Sequence, residues 1–372
     1  MKTILFIFLL LLKTASTWSQ SESGLSYQLK TGFLAAHKGE MANLPSQIAL
    51  ASEFSYFRHL HRKDSWIESY KDPTVGATLF MGSVGNNDVL GRYLALYGFV
   101  ELPIIVKNNF ELNWKLGTGL GLTNRKYDSI FNPLNIAIGS HVNMMIVMAL
   151  KAQYRSRRNS ISLGLDLTHF SNSAFQVPNL GINIPSISLG YSRKINIVKK
   201  TLTSDSPLSY KKIYYGGLGI FSLKELMPLG GRKFPIYVAS VFSRVVFNAK
   251  AGMELGFDLM SNQSHFDFEP LVDKTQGSIL QLGIYAAYVL PLDRIHFMFG
   301  MGGYIRDWYK PDGLLYHRVG FRYQSYHGLF YHVAIKSHWA KADYLELGVG
   351  YLLNYKRSRK KKSQRVGFLD KN

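Results

Sequence analysis

From Ser278 to Leu290 the even positions read Leu280, Leu282, Ile284, Ala286, Tyr288 and Leu290, and the odd positions include Gln281, Gly283 and Tyr285. A two-residue period puts the two sets on opposite faces of a β-strand. The pattern recurs. Ile295, Phe297, Phe299, Met301 and Ile305 alternate with Arg294, His296, Met298, Gly300, Gly302 and Tyr304; Val142 to Lys151 and Leu345 to Asn354 alternate in the same way. Beyond the first twenty residues no apolar run approaches the roughly 18 residues of a helical membrane span. The chain is therefore read as all-β.

Strands of nine to thirteen residues with one continuous apolar face suit a tilted crossing of a hydrocarbon layer. Their second faces mix glycine with Arg, His, Glu and Asn, as a polar interior requires. Tyr and Phe, 23 of each, can furnish interfacial girdles. The expectation is an antiparallel transmembrane β-barrel of about twelve to sixteen strands, even in number, from Ser26–Ala36 to Asp343–Tyr355. Short links at Ser156-Arg157-Arg158 and Pro291-Leu292-Asp293 then alternate with long ones at 123–140, 171–184, 261–276 and 305–314. A soluble barrel or sandwich with its apolar faces turned inward is the rival fold.

The ends fit export. Lys2, the apolar run Ile4 to Leu12 and Thr17-Trp18-Ser19 form a secretory signal over 1–19, too short to span as a helix. Residues 20–355 are read as one barrel, with no Pro/Ser-rich linker to divide it. Residues 356–372, with the run KRSRKKKSQR, form a basic periplasmic tail. The net charge of +20 suits phosphate-bearing partners, and export argues against nucleic acid and for anionic lipid or lipopolysaccharide at the outer membrane. Cysteine is absent, so burial and strand pairing carry the stability. No His/Cys/Asp grouping has metal-ligand spacing, and no cofactor is expected.

One stretch breaks the alternation. In LDLTHFSNSAFQVPNLGIN, residues 165–183, Leu165 and Leu167 share a face with His169 and Ser171. Burying such polar groups unpaired in an apolar medium costs roughly 2–7 kcal/mol each, so they belong at the interface or bonded together. Two residues apart on one strand face, their Cα atoms lie about 6.6 Å apart. That separation lets an imidazole lean toward a serine oxygen, the nucleophile–base arrangement of acyl transfer. A polar pair at the end of a membrane strand is the plainer reading.

His169-Phe170-Ser171-Asn172 followed by Pro178-Asn179-Leu180-Gly181-Ile182 resembles the signature of the outer-membrane lipid A 3-O-deacylases of the PagL type. The likeness is strong over 163–191 and weaker over 25–198; residues 211–355 look like the longer members labelled acyloxyacyl hydrolase. The resemblance implies an outer-membrane barrel esterase that removes an ester-linked acyl chain from lipid A. Ser171 would be its nucleophile and His169 its base, with Asn172, Asn179 and Gly181 about the oxyanion. The family's acid falls on Asn183, an amide that can orient an imidazole but cannot stabilise its cation by charge. Glu225 is the alternative acid. Lys38, Arg125, Lys126, Lys224 and Arg232 are candidate contacts for the substrate's phosphates. Ser337, His338 and Asp343 list similar chemistry, but Ser337 and His338 are adjacent and so face opposite ways. The competing functional reading is a non-catalytic channel or scaffold with Arg294, His296, Lys336 and Glu346 lining its lumen. Oligomeric state leaves no mark in the sequence.

Overall fold

A computed structural model describes residues 21–61, 66–197, 212–267, 275–308, 313–325, 327–339 and 341–354. The expected signal segment and basic tail lie outside these residues. Sixteen strands run antiparallel: β1 Ser21–Gly32, β2 Ala49–Leu60, β3 Thr74–Ser83, β4 Arg92–Lys107, β5 Phe110–Thr123, β6 Val142–Arg155, β7 Asn159–Ser171 and β8 Ile182–Asn196. They continue as β9 Lys212–Glu225, β10 Lys233–Asn248, β11 Ala251–Asn262, β12 Leu280–Leu292, β13 Ile295–Arg306, β14 Leu315–Gln324, β15 Leu329–His338 and β16 Lys341–Leu352. The first strand ends before Ala36, and the last stops short of Tyr355.

The strands close two rings, not one. β8 returns to β1, pairing Tyr191 with Tyr27 and Leu189 with Leu29, and β16 returns to β9, pairing Val349 with Gly219. Each ring has eight strands. The single barrel expected over 20–355 is corrected to one ring over 21–196 and a second over 212–352. Local alternation is identical for either closure, because it reports which face is apolar and not which neighbour a strand takes.

Apolar residues point outward. Leu163, Leu165 and Leu189 in the first ring, and Val241, Phe257 and Val349 in the second, are more than half exposed, which excludes the inward-facing soluble arrangement. Polar residues fill the interiors. In the first ring Lys30 bridges Glu53 at 2.8 Å and Asp166 at 2.9 Å, and Lys115 Nζ reaches Tyr97 Oη at 2.9 Å. In the second, Arg244 and Arg322 converge on Glu254 at 2.7 and 2.8 Å, while Arg318 joins Glu346 and Asp258. An eight-strand ring is just wide enough for side chains to fill. Lys336 and Glu346 are buried in ion pairs with Asp343 and Arg318, so they line no open lumen. His338 turns inward toward Asp343, away from the face of Ser337, as the alternation predicts.

The rings touch along their outer walls. Val100, Leu102 and Leu116 from β4 and β5, with Tyr70, form one buried cluster with Leu290 and Leu292 of β12. Lys250 lies over the Tyr70 ring at 5.5 Å. At the opposite, loop-bearing end, the rim of the second ring meets the loop that follows β7.

Candidate active site

On β7, Phe170 is anchored inward between a half-buried His169 and a buried Ser171. Phe170 is fully buried against Tyr93, with ring centroids 4.4 Å apart, and Phe80, at 5.8 Å. Burying such a side chain stabilises by about 1.5–3 kcal/mol, and it fixes the parity of its neighbours. Asp166 and Thr168 also face inward. Asp166 is engaged by Lys30 and Ser188.

β8 pairs with β7 so that Asn183 stands directly opposite His169. The His169 Nδ1–H donates to Asn183 Oδ1 at 2.6 Å. That bond leaves the proton-free ring nitrogen to be Nε2. Gly181, at φ +80°, makes room for the ring: a Cβ there would lie 2.9 Å from His169 Cε1. Its own N–H donates to the Ala137 carbonyl at 3.0 Å.

Ser171 is nearly covered. Asn179 Nδ2 donates to Ser171 Oγ at 3.0 Å, and the Ser173 N–H donates to the same oxygen at 3.1 Å. Among the described residues no hydrogen bond joins Ser171 to His169; the serine oxygen is engaged by Asn179 and Ser173 instead. Asn179 Oδ1 accepts the Asn172 N–H at 3.0 Å. The Asn172 amide is committed elsewhere, donating to Ser140 Oγ at 2.9 Å and to the Gln176 carbonyl at 2.8 Å. Of the three residues expected around the oxyanion, Asn179 alone directs a side-chain donor at Ser171 Oγ, whereas Asn172 and Gly181 tie the surrounding loops. The 124–141 loop that receives these ties is itself ordered by Asp128, which accepts the N–H groups of Ile130 and Phe131 at 2.9 Å. These two backbone donors hold its carboxyl below the usual range.

Glu225 does not reach His169. Its carboxylate accepts the Gly230 N–H at 2.8 Å and pairs with Lys233 at 3.0 Å, while its own N–H donates to the Ala174 carbonyl at 3.1 Å. Lys233 donates to the Phe175 carbonyl and sits over the Phe175 ring at 4.1 Å. These contacts hold a turn in which Ser173 and Ala174 adopt φ of 54° and 60°, a left-handed conformation costing about 1–2 kcal/mol per non-glycine residue. The second ring thus braces the backbone whose N–H meets the serine. Of the expected phosphate contacts, Arg125 and Arg232 are exposed and Lys38 and Lys126 half-buried. Lys224 is buried against Asp343 inside the second ring and is withdrawn from that set. Sequence reasoning missed His37, whose Nδ1 accepts from Asn183 Nδ2 at 3.1 Å. It lies just past β1, beside β8 only because the first ring closes, a pairing that local alternation does not encode.

Gly181→Ala is expected to lower kcat about 10²-fold by displacing the imidazole, the scale on which a misplacement of about 1 Å acts. Unchanged turnover in the purified variant would mean the ring has slack to move.

Residues 10–192 match the family model described as lipid A 3-O-deacylase (PagL), and residues 208–355 match that of the acyloxyacyl hydrolase C-terminal domain. No curated protein matches the chain. Solved structures that align include two mutant forms of the porin of Rhodopseudomonas blastica, one at 9% identity and the other at 8%. Each alignment covers 90% of this chain and 100% of the porin, at a TM-score of 0.17.

Proposed function

We propose, from the premise that the chain belongs to the lipid A 3-O-deacylase (PagL) family and carries its acyloxyacyl hydrolase C-terminal domain, that it is an outer-membrane serine esterase acting on lipid A. The observation that supports this most is the imidazole of His169, whose Nδ1–H is held by Asn183 at 2.6 Å two residues before Ser171 on β7. Substrate diffuses laterally in the outer leaflet, and its phosphates meet Arg125, Lys126, Lys38 and Arg232 at the rim.

Ser171 turns from Asn179 toward His169 Nε2, which takes the hydroxyl proton as Oγ attacks the ester carbonyl. The tetrahedral oxyanion gains a donor from Asn179 Nδ2. Collapse breaks the ester bond, and His169 returns the proton to the departing sugar hydroxyl. Water, activated by the same imidazole, then releases the acyl group as a carboxylic acid and restores Ser171. Asn183 keeps the base in the productive tautomer, as the amide does in Cys-His-Asn enzymes, and offers the imidazolium a dipole in place of a charge.

The test is mass measurement of lipid A from cells expressing the chain, beside cells expressing Ser171→Ala. Loss of one acyl mass, with the matching free fatty acid, is expected only from the unaltered chain. Identical lipid A from both would remove the esterase reading.

A further inference from the structure

An amide in the place of a carboxylate raises a problem of symmetry. A carboxylate accepts from His169 Nδ1–H through either oxygen, but Asn183 must present Oδ1. Rotated by half a turn, its NH2 would donate to Nδ1 and move the imidazole proton to Nε2, where a base must be bare. Histidine tautomer and amide orientation are thus one choice.

We propose that His37 makes that choice and is a positioning residue for the reaction, a role that rests on the reading of His169 as the base. His37 Nε2 lies 3.0 Å from the Leu180 carbonyl. A carbonyl only accepts, so the His37 proton sits on Nε2 and Nδ1 is an acceptor. Asn183 Nδ2 donates to that nitrogen at 3.1 Å, which turns Oδ1 toward His169. The Ala35 carbonyl, 3.4 Å from His37 Nδ1, is too distant to compete. The backbone fixes the whole relay. Ala35 N–H donates to the Asn183 carbonyl at 2.8 Å, extending the β1–β8 pairing and carrying His37 to the asparagine. Polarity therefore runs from the Leu180 carbonyl through His37 and Asn183 to His169, and ends with a bare Nε2.

The test uses the full chain in detergent micelles with ¹⁵N-labelled histidine, His169 being assigned by its loss in His169→Gln. The unaltered chain should hold His169 in the Nδ1–H tautomer. His37→Ala should populate both tautomers and lower kcat by roughly tenfold or more with KM little changed, since a wrong tautomer is severely disabling. His37→Asn, which keeps an acceptor near the Nδ1 position, should restore the tautomer and much of the rate. In an Asn183→Asp background, where both atoms accept, His37→Ala should cost less than about twofold. An unchanged His169 tautomer in His37→Ala, or an equal penalty in the Asn and Asp backgrounds, overturns the proposal. If no variant hydrolyses lipid A, the esterase reading fails while the tautomer measurement still decides the role of His37.

Discussion

Ser171→Ala is expected to lower turnover by about 10⁴–10⁶-fold without unfolding the barrel, and His169→Gln should do nearly the same. Residues that act as one unit are not additive, so the double variant should be no slower than either single one. The folded state bears little of the loss. Removing Oγ leaves the Ser173 N–H and Asn179 Nδ2 short of one acceptor, a cost of about 1–3 kcal/mol, whereas Phe170 still anchors the strand. Single-turnover hydrolysis of purified lipid A, with heat-modifiable gel mobility as the folding control, separates the two effects. Ser171→Ala turning over within tenfold of the unaltered chain would rule the serine out as nucleophile.

The second large effect lies far from the site. Glu254 accepts Arg244 through Nε and Nη2 at 2.9 and 2.7 Å, Arg322 at 2.8 Å and Tyr285 Oη at 2.7 Å, and all four side chains are buried. Glu254→Gln conserves volume but leaves two guanidinium groups without their carboxylate. Breaking a buried pair on one side costs roughly 3–5 kcal/mol, because an uncompensated charge remains. Leu255, the next residue, faces outward and is 55% exposed, so Leu255→Val should change stability by less than about 1 kcal/mol. Urea unfolding in lipid vesicles compares them. A Glu254→Gln midpoint matching that of Leu255→Val would show that the second ring tolerates the lost charge, for instance by admitting water.

Much of this was legible in the sequence because strand parity is local. The exposed leucines of β7 and the inward Asp166 followed from reading every second residue. Asn183 opposite His169 needed the family likeness, since a ten-residue loop separates β7 from β8. Ring closure was not legible. β8 alternates as it would in a barrel of any size, and only its return to β1 distinguishes eight strands from sixteen. The same gap hid His37 and misplaced Glu225. Glu225 does stand near the turn after Ser171, but its charge is satisfied by Lys233 and Gly230, a hairpin pairing that was not visible in the spacing. Lys224 was misread for a related reason: at the end of a strand, a cation that points inward and one that points to solvent have the same letters around them.

The strained turn after Ser171 has a temporal consequence. Its carbonyls at Ala174 and Phe175 are gripped by Glu225 and Lys233, which the chain supplies some fifty residues later. During biogenesis, a first ring already embedded in lipid would still carry an unlatched turn. The contacts that hold this turn are therefore complete only once β9 and β10 have folded beside it.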